Sequence, residues 1–81
     1  MKHNPKALSA FGSHLRALRE RRGWSQQELA DTAHLHKTTV QRAEWASFIV
    51  SLDILVSLAR ALEVPVEELV RIPGLEQMDK G

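Results

Sequence analysis

The chain has 81 residues, which holds one domain with a modest core, and its 43% hydrophobic and 26% charged residues are ordinary for a folded protein. It has no cysteine, which excludes disulfides and thiolate metal sites and fits a cytoplasmic setting. No apolar run reaches the length of a membrane span, and Met1-Lys2-His3-Asn4-Pro5 lacks the apolar core of a signal peptide. The net charge of +1 hides an asymmetry. Residues 1–44 carry eight Lys/Arg against four acids, and residues 45–81 carry three against six. A basic half beside an acidic half fits a polyanion on the first side, though scattered surface charge would read the same way.

Asn4-Pro5 signals a helix start: a capping side chain, then a proline whose missing N–H costs nothing at the first position. Leu8, Phe11, Leu15 and Leu18 follow at spacings of three and four, forming one apolar face. Gly12 weakens this helix by up to ~1 kcal/mol relative to alanine, so a start nearer Ser9 is the alternative. Arg21-Arg22-Gly23 ends it, with cations at the negative end of the dipole and glycine beyond. Ser25 and Glu28 have the spacing of a capping box, so a second helix runs from about Gln26 to Ala33 with Leu29, Ala30 and Ala33 inward. His34 falls at the turn.

A third helix is expected from His36 to Trp45. On a wheel starting at Lys37, the residues Lys37, Gln41, Trp45, Thr38 and Arg42 lie between about 0° and 140°, with Val40 and Ala43 near 300° and 240°. One face is small and apolar, the other long and polar. After a loop at 46–50, Ser51 caps a fourth helix with Leu52, Leu55, Leu58, Ala59 and Leu62 as its buried stripe. Val64-Pro65 breaks it and starts a fifth, short helix with Val66, Leu69 and Val70 apolar. No stretch alternates with period two, so no sheet is expected. The expected layout is an all-α domain over 1–72 and a flexible polar tail over 73–81.

The ordered marks Phe11-Gly12, Leu15-Arg16, Leu18-Arg19, Arg22-Gly23-Trp24-Ser25-Gln26-Gln27-Glu28-Leu29-Ala30, Thr39-Val40, Glu44, Ser51-Leu52 and Leu58 to Pro65 resemble the lambda-repressor-like, Xre-type helix-turn-helix transcription regulators. The resemblance covers about Phe11 to Val70. It implies a five-helix fold with the helix-turn-helix at the second and third helices. It implies that Lys37, Thr38, Gln41 and Arg42 face the bases of double-stranded DNA. Chemistry fits: Lys37 and Arg42 donate to guanine O6 and N7, Gln41 pairs with adenine, and the Thr38 methyl meets thymine. Without the motif they would read as solvated polar residues. The resemblance places Gln26 on a phosphate, which its amide beside free backbone N–H groups suits. Gln27 is either a second phosphate contact or an ordinary first-turn residue; Thr39 either meets a phosphate or caps its own helix. The resemblance also implies a partly buried ion pair between Arg19 and Glu44, orienting the third helix, where the plain reading is two unrelated surface charges.

Trp24 is expected to close the turn between the first two helices. Trp45 points toward the reading face and fits the DNA backbone, the following loop or a protein partner equally. Relatives usually carry glycine soon after the glutamate; here Glu44-Trp45-Ala46-Ser47-Phe48-Ile49-Val50 stands instead, an apolar loop where phosphate contacts are expected. The histidines form no metal set: His34 and His36 face different ways and no carboxylate or cysteine completes a group. No nucleophile-and-base constellation or phosphate-loop glycine pattern is present, so neither an enzyme nor a cofactor is expected. The combined expectation is a homodimer regulating transcription at an operator, comparable to phage repressors and restriction–modification controllers. The apolar end of Leu62, Val66, Leu69 and Val70 motivates the dimer. The rival is an antitoxin-like module holding a toxin or other protein partner through the Phe48-Ile49 loop.

Overall fold

A computed structural model describes residues 5–47 and 49–78, the Glu76 side chain excepted. Five helices follow in order: α1 (Pro5–Arg21), α2 (Gln26–Ala33), α3 (Lys37–Glu44), α4 (Leu52–Leu62) and α5 (Val66–Leu69). A 3-10 turn at Leu75–Gln77 follows. Among the described residues there is no strand. The expected Asn4 cap lies outside the described residues, but α1 does begin at Pro5 rather than near Ser9. Both halves of the capping box form: Ser25 Oγ accepts from the Glu28 amide at 3.1 Å, and a Glu28 carboxylate oxygen accepts from the Ser25 amide at 2.8 Å. Ser51 Oγ accepts from the Ile54 amide at 3.2 Å and starts α4 the same way.

The core is assembled from one face of every helix. Leu15, Leu29, Val40, Leu58, Leu62 and Leu69 are its fully buried large side chains, each contributing about 1.5–3 kcal/mol by leaving water. α3 packs against both α1 and α2, α2 also against α4, and α5 joins α4 to α1. The approach of α1 to α3 has no room for a side chain at position 12. A Cβ there would strike the Glu44 backbone carbonyl oxygen and stand 2.9 Å from the Ala43 one. Gly12 is therefore a packing requirement, and the helix propensity it gives up is offset by close contact of two backbones.

Three expectations change. Leu52 is 71% exposed rather than part of the α4 stripe, because as first residue of the helix it points away from the core. Near that end of α4 the core is met by Ile54 and Leu55, and Ala61 joins the buried residues at the other end. The apolar end offered for dimerisation is largely the domain's own core: Leu62 and Leu69 are buried and Val66 is half-buried, leaving only Val70 exposed. α3 is one residue shorter at each end than expected, His36 being the extended N-cap and Trp45 the C-cap. A 3-10 turn over Leu75–Gln77 follows Gly74. Leu75 sits beside Ala7, Leu8 and Phe11 because it is apolar and finds an apolar hollow, while residues 79–81 of the expected tail lie outside the described residues.

Candidate nucleic-acid interface

The α2–α3 connection is two tight backbone choices. His34 ends α2 in the left-handed region at φ 58°, with its amide bonded to the Asp31 carbonyl, and Leu35 N–H reaches the Ala30 carbonyl at 2.9 Å. His36 is extended at φ −74°, ψ 147° and starts α3 without a side-chain cap. Val40 and Ala43 then fix α3 in the core, being buried against α1 and α2. Geometry leaves the opposite side to solvent. Lys37, Thr38 and Arg42 are exposed, and Gln41 and Thr39 are half-buried. The side chain of Thr39 has no hydrogen-bond partner among the described residues and caps nothing, although its amide bonds the His36 carbonyl at 3.0 Å.

The end of α3 is held by a dense polar junction. Arg19 donates from Nε to Glu44 Oε2 at 2.7 Å and from Nη2 to Oε1 at 3.0 Å, a two-pronged pair. The Arg19 side chain is 10% exposed and that of Glu44 only 2%. A third guanidinium nitrogen, Nη1, donates to the Trp24 carbonyl at 2.7 Å and so ties the α1–α2 turn into the same junction. Its hydrogen bond to the Glu44 carboxylate raises the Arg19 pKa above its ordinary value against the opposing effect of burial. A cation so raised keeps its charge, and its stabilising contribution, below the ordinary arginine value, which includes the whole neutral range.

Gln26 is placed differently from a free phosphate grip. Its amide nitrogen donates to Glu44 Oε1 at 3.1 Å, so the side chain locks α2 to α3 as a third partner of the ion pair. The polar sequence pattern did not signal this, since the two residues are eighteen apart and only the fold brings them together. Gln27 bonds its neighbour Asp31 at 2.7 Å one turn along α2 and stays exposed. Trp24 is half-buried, packed on the core at one edge, with the Arg22 guanidinium 4.6 Å from its ring centre. Arg22 also reaches the Leu62 carbonyl at 3.0 Å and Glu63 at 2.9 Å, bracing α1 against the end of α4.

Past α3 the chain turns through Ala46, which takes φ 58° without being glycine. Ser47 closes the turn with its amide on the Arg42 carbonyl at 3.0 Å. Of the apolar loop, Phe48 lies outside the described residues and Ile49 is exposed. An open hollow of about 400 Å³ lies between α1, the start of α2 and the end of α3, lined by Arg16, Arg19, Ser25, Gln26, Glu44 and Trp45. Sequence reasoning had no reason to include Arg16 beside the reading helix. Among the described residues no group of His, Cys, Asp or Glu is arranged to hold a metal, and no helix is long and apolar enough to cross a membrane.

Comparison with known proteins agrees with this geometry. Residues 10–72 match the family model described as a helix-turn-helix domain. A competence pilus inhibition repressor from Acinetobacter baylyi is 37% identical over 69 residues, covering 85% of this chain. The chain spans 61% of that relative's length. The restriction–modification controller protein C.AhdI from Aeromonas hydrophila has a structure matching at TM-score 0.75 and 39% identity, over 76% of this chain and 94% of its own. The structure of a hypothetical transcription factor, NHTF from Neisseria, matches at TM-score 0.79 and 26% identity, over 100% of this chain and 92% of its own. With a matched span of more than half its length and these structural relatives, the chain belongs to the helix-turn-helix domain family, as an Xre-type regulator.

Proposed function

We propose that this protein binds a specific double-stranded DNA site as a homodimer and regulates transcription from it. The observation that carries this reading is the two-sided build of α3. Val40 and Ala43 seat it in the core, the Arg19–Glu44–Gln26 junction fixes its end, and Lys37, Thr38, Gln41 and Arg42 are left facing outward. A helix so held fits the major groove, where those side chains match base edges by type. Arg42 and Lys37 take guanine, Gln41 takes adenine and Thr38 meets a thymine methyl. Gln26, Gln27 and Thr39 flank this face and set the register on the phosphates. Gln26 does so while bonded to Glu44 through its amide, so it serves both as a strut and as a backbone contact.

A single reading helix covers only a few base pairs, so a second copy is needed to read a full site, with half-sites about 34 Å apart. The exposed apolar residues Ile49, Leu52 and Val70 supply surface for that pairing in place of Leu62 and Leu69. Titrating labelled duplexes, single strands and RNA at matched salt tests the reading. Preferential duplex binding with two protomers per site is expected; equal binding to all three polymers, or none, would contradict it. A second reading has some support in Ile49 and Leu52, whose exposure beside the reading helix would also suit a protein partner such as a toxin. Stoichiometric co-purification of a small protein from the native host is the outcome that favours it.

A further inference from the structure

Trp45 is the large aromatic residue that neither the core nor the base-reading face has absorbed. It is the C-cap of α3, it is 67% exposed, and its indole N–H has no partner among the described residues. It shares one wall of the 400 Å³ hollow with Arg16, Ser25 and Gln26. The charges facing that hollow decide what fits there. Glu44 is neutralised by Arg19 and shielded by Gln26, so its carboxylate presents no free negative charge. Among the described residues Arg16 is held by Glu20 one turn along α1, in a pair whose side chains are more than half exposed on both sides. Such a pair exchanges readily for a better anion.

We infer that Trp45 and Arg16 form a backbone clamp for duplex DNA: the indole lies along the sugar–phosphate chain with its N–H donating to a phosphate oxygen, and Arg16 leaves Glu20 to bind that phosphate. This rests on the DNA-binding reading above and deepens it. Tryptophan suits the place because it has an apolar body and one polar tip, matching a deoxyribose beside a phosphate. It also compensates for the apolar loop that follows, where the exposed Ile49 side chain has no donor for a phosphate. The clamp carries no sequence information, since phosphate contacts position the protein and base contacts specify.

The test uses the full chain, a duplex recovered by selection from a random pool, and the same duplex scrambled. Trp45→Ala is expected to weaken binding to both duplexes by the same factor, about tenfold, the worth of one hydrogen bond to a charged partner. Its salt dependence stays that of the wild type, because the indole is neutral. Arg16→Ala weakens both duplexes and lowers the salt slope by about one. With Trp24→Phe as background, Trp45 is the only indole in the chain, and its emission changes on adding either duplex. Melting of the Trp45→Ala variant near the wild-type temperature verifies that it is folded. Wild-type affinity of Trp45→Ala for both duplexes, a loss confined to the selected one, or emission unmoved at saturation would overturn the clamp while leaving the DNA-binding reading intact. Failure of the wild type to bind any duplex would overturn both.

Discussion

Replacing Glu44 by glutamine probes how the reading helix is held. The carboxylate accepts three hydrogen bonds, from Arg19 Nε at 2.7 Å, Arg19 Nη2 at 3.0 Å and Gln26 Nε2 at 3.1 Å. Glutamine keeps the shape but supplies one oxygen and one N–H donor group. That donor faces a guanidinium N–H in either orientation, Arg19 Nε at the Oε2 position or Arg19 Nη2 together with the Gln26 amide at the Oε1 position. The buried guanidinium then keeps one oxygen of residue 44 and the Trp24 carbonyl as acceptors but loses its counter-charge. Removing one partner of a buried pair costs about 3–5 kcal/mol, and the surviving oxygen puts glutamine near the lower limit, at about 3 kcal/mol. A domain of this size has a total stability of only about 4–12 kcal/mol. The loss is therefore a large share, equivalent to a drop in Tm of about 12–24 °C. Urea unfolding followed by circular dichroism measures it as a lower midpoint at unchanged slope. Arg19→Met with Glu44→Leu, which removes both charges, is expected to recover much of the loss. A cost under about 1 kcal/mol for Glu44→Gln, the value of an exposed pair, would refute the claim that this junction is buried and coupled.

Gly12→Ala is expected to destabilise by about 1–3 kcal/mol despite the better helix propensity of alanine, since its Cβ meets the Ala43 and Glu44 backbone; a gain in urea would contradict that close approach. Ala46→Gly should raise stability by up to about 1 kcal/mol by relieving the φ of 58°, and a clear loss in the same assay would show the turn is not strained. Gln26→Ala is expected both to lower stability by about 1 kcal/mol, through its lost bond to Glu44, and to weaken all duplexes alike. Gln27→Ala, losing only an exposed bond to Asp31, should change stability by a few tenths of a kcal/mol. Equal effects of the two on stability would remove the distinction between strut and surface residue.

The readable parts of this fold are those whose cause is local. The capping box at Ser25 and Glu28, the Pro5 start and the Ser51 cap are decided within one helical turn, and each element begins where those residues place it. The split of α3 into Val40 and Ala43 against Lys37, Thr38 and Arg42 follows from helical periodicity alone. Contacts between distant segments were less legible. Gly12 reads as a weakness along its own helix and becomes a necessity only when the carbonyls of Ala43 and Glu44 are laid against it. Gln26 meets Glu44 across the turn, a juxtaposition no spacing announces. Periodicity also cannot say how much of an apolar stripe the domain keeps for itself: it put Leu52 inside, where the helix start turns it out, and it left Leu69 to be offered to a second subunit, where the domain's own core closes over it.

Arg42 tests most directly whether the outward face of α3 reads bases. Duplexes are selected from a random pool with the wild type and with Arg42→Ala at one fixed salt concentration. The wild type is expected to enrich a two-fold symmetric site with half-sites about one turn apart. Arg42→Ala is expected to lose preference at one base pair per half-site, at a cost of about 1–3 kcal/mol, and to keep the rest. An unchanged site and affinity for Arg42→Ala, or no enriched duplex from the wild type, would contradict it.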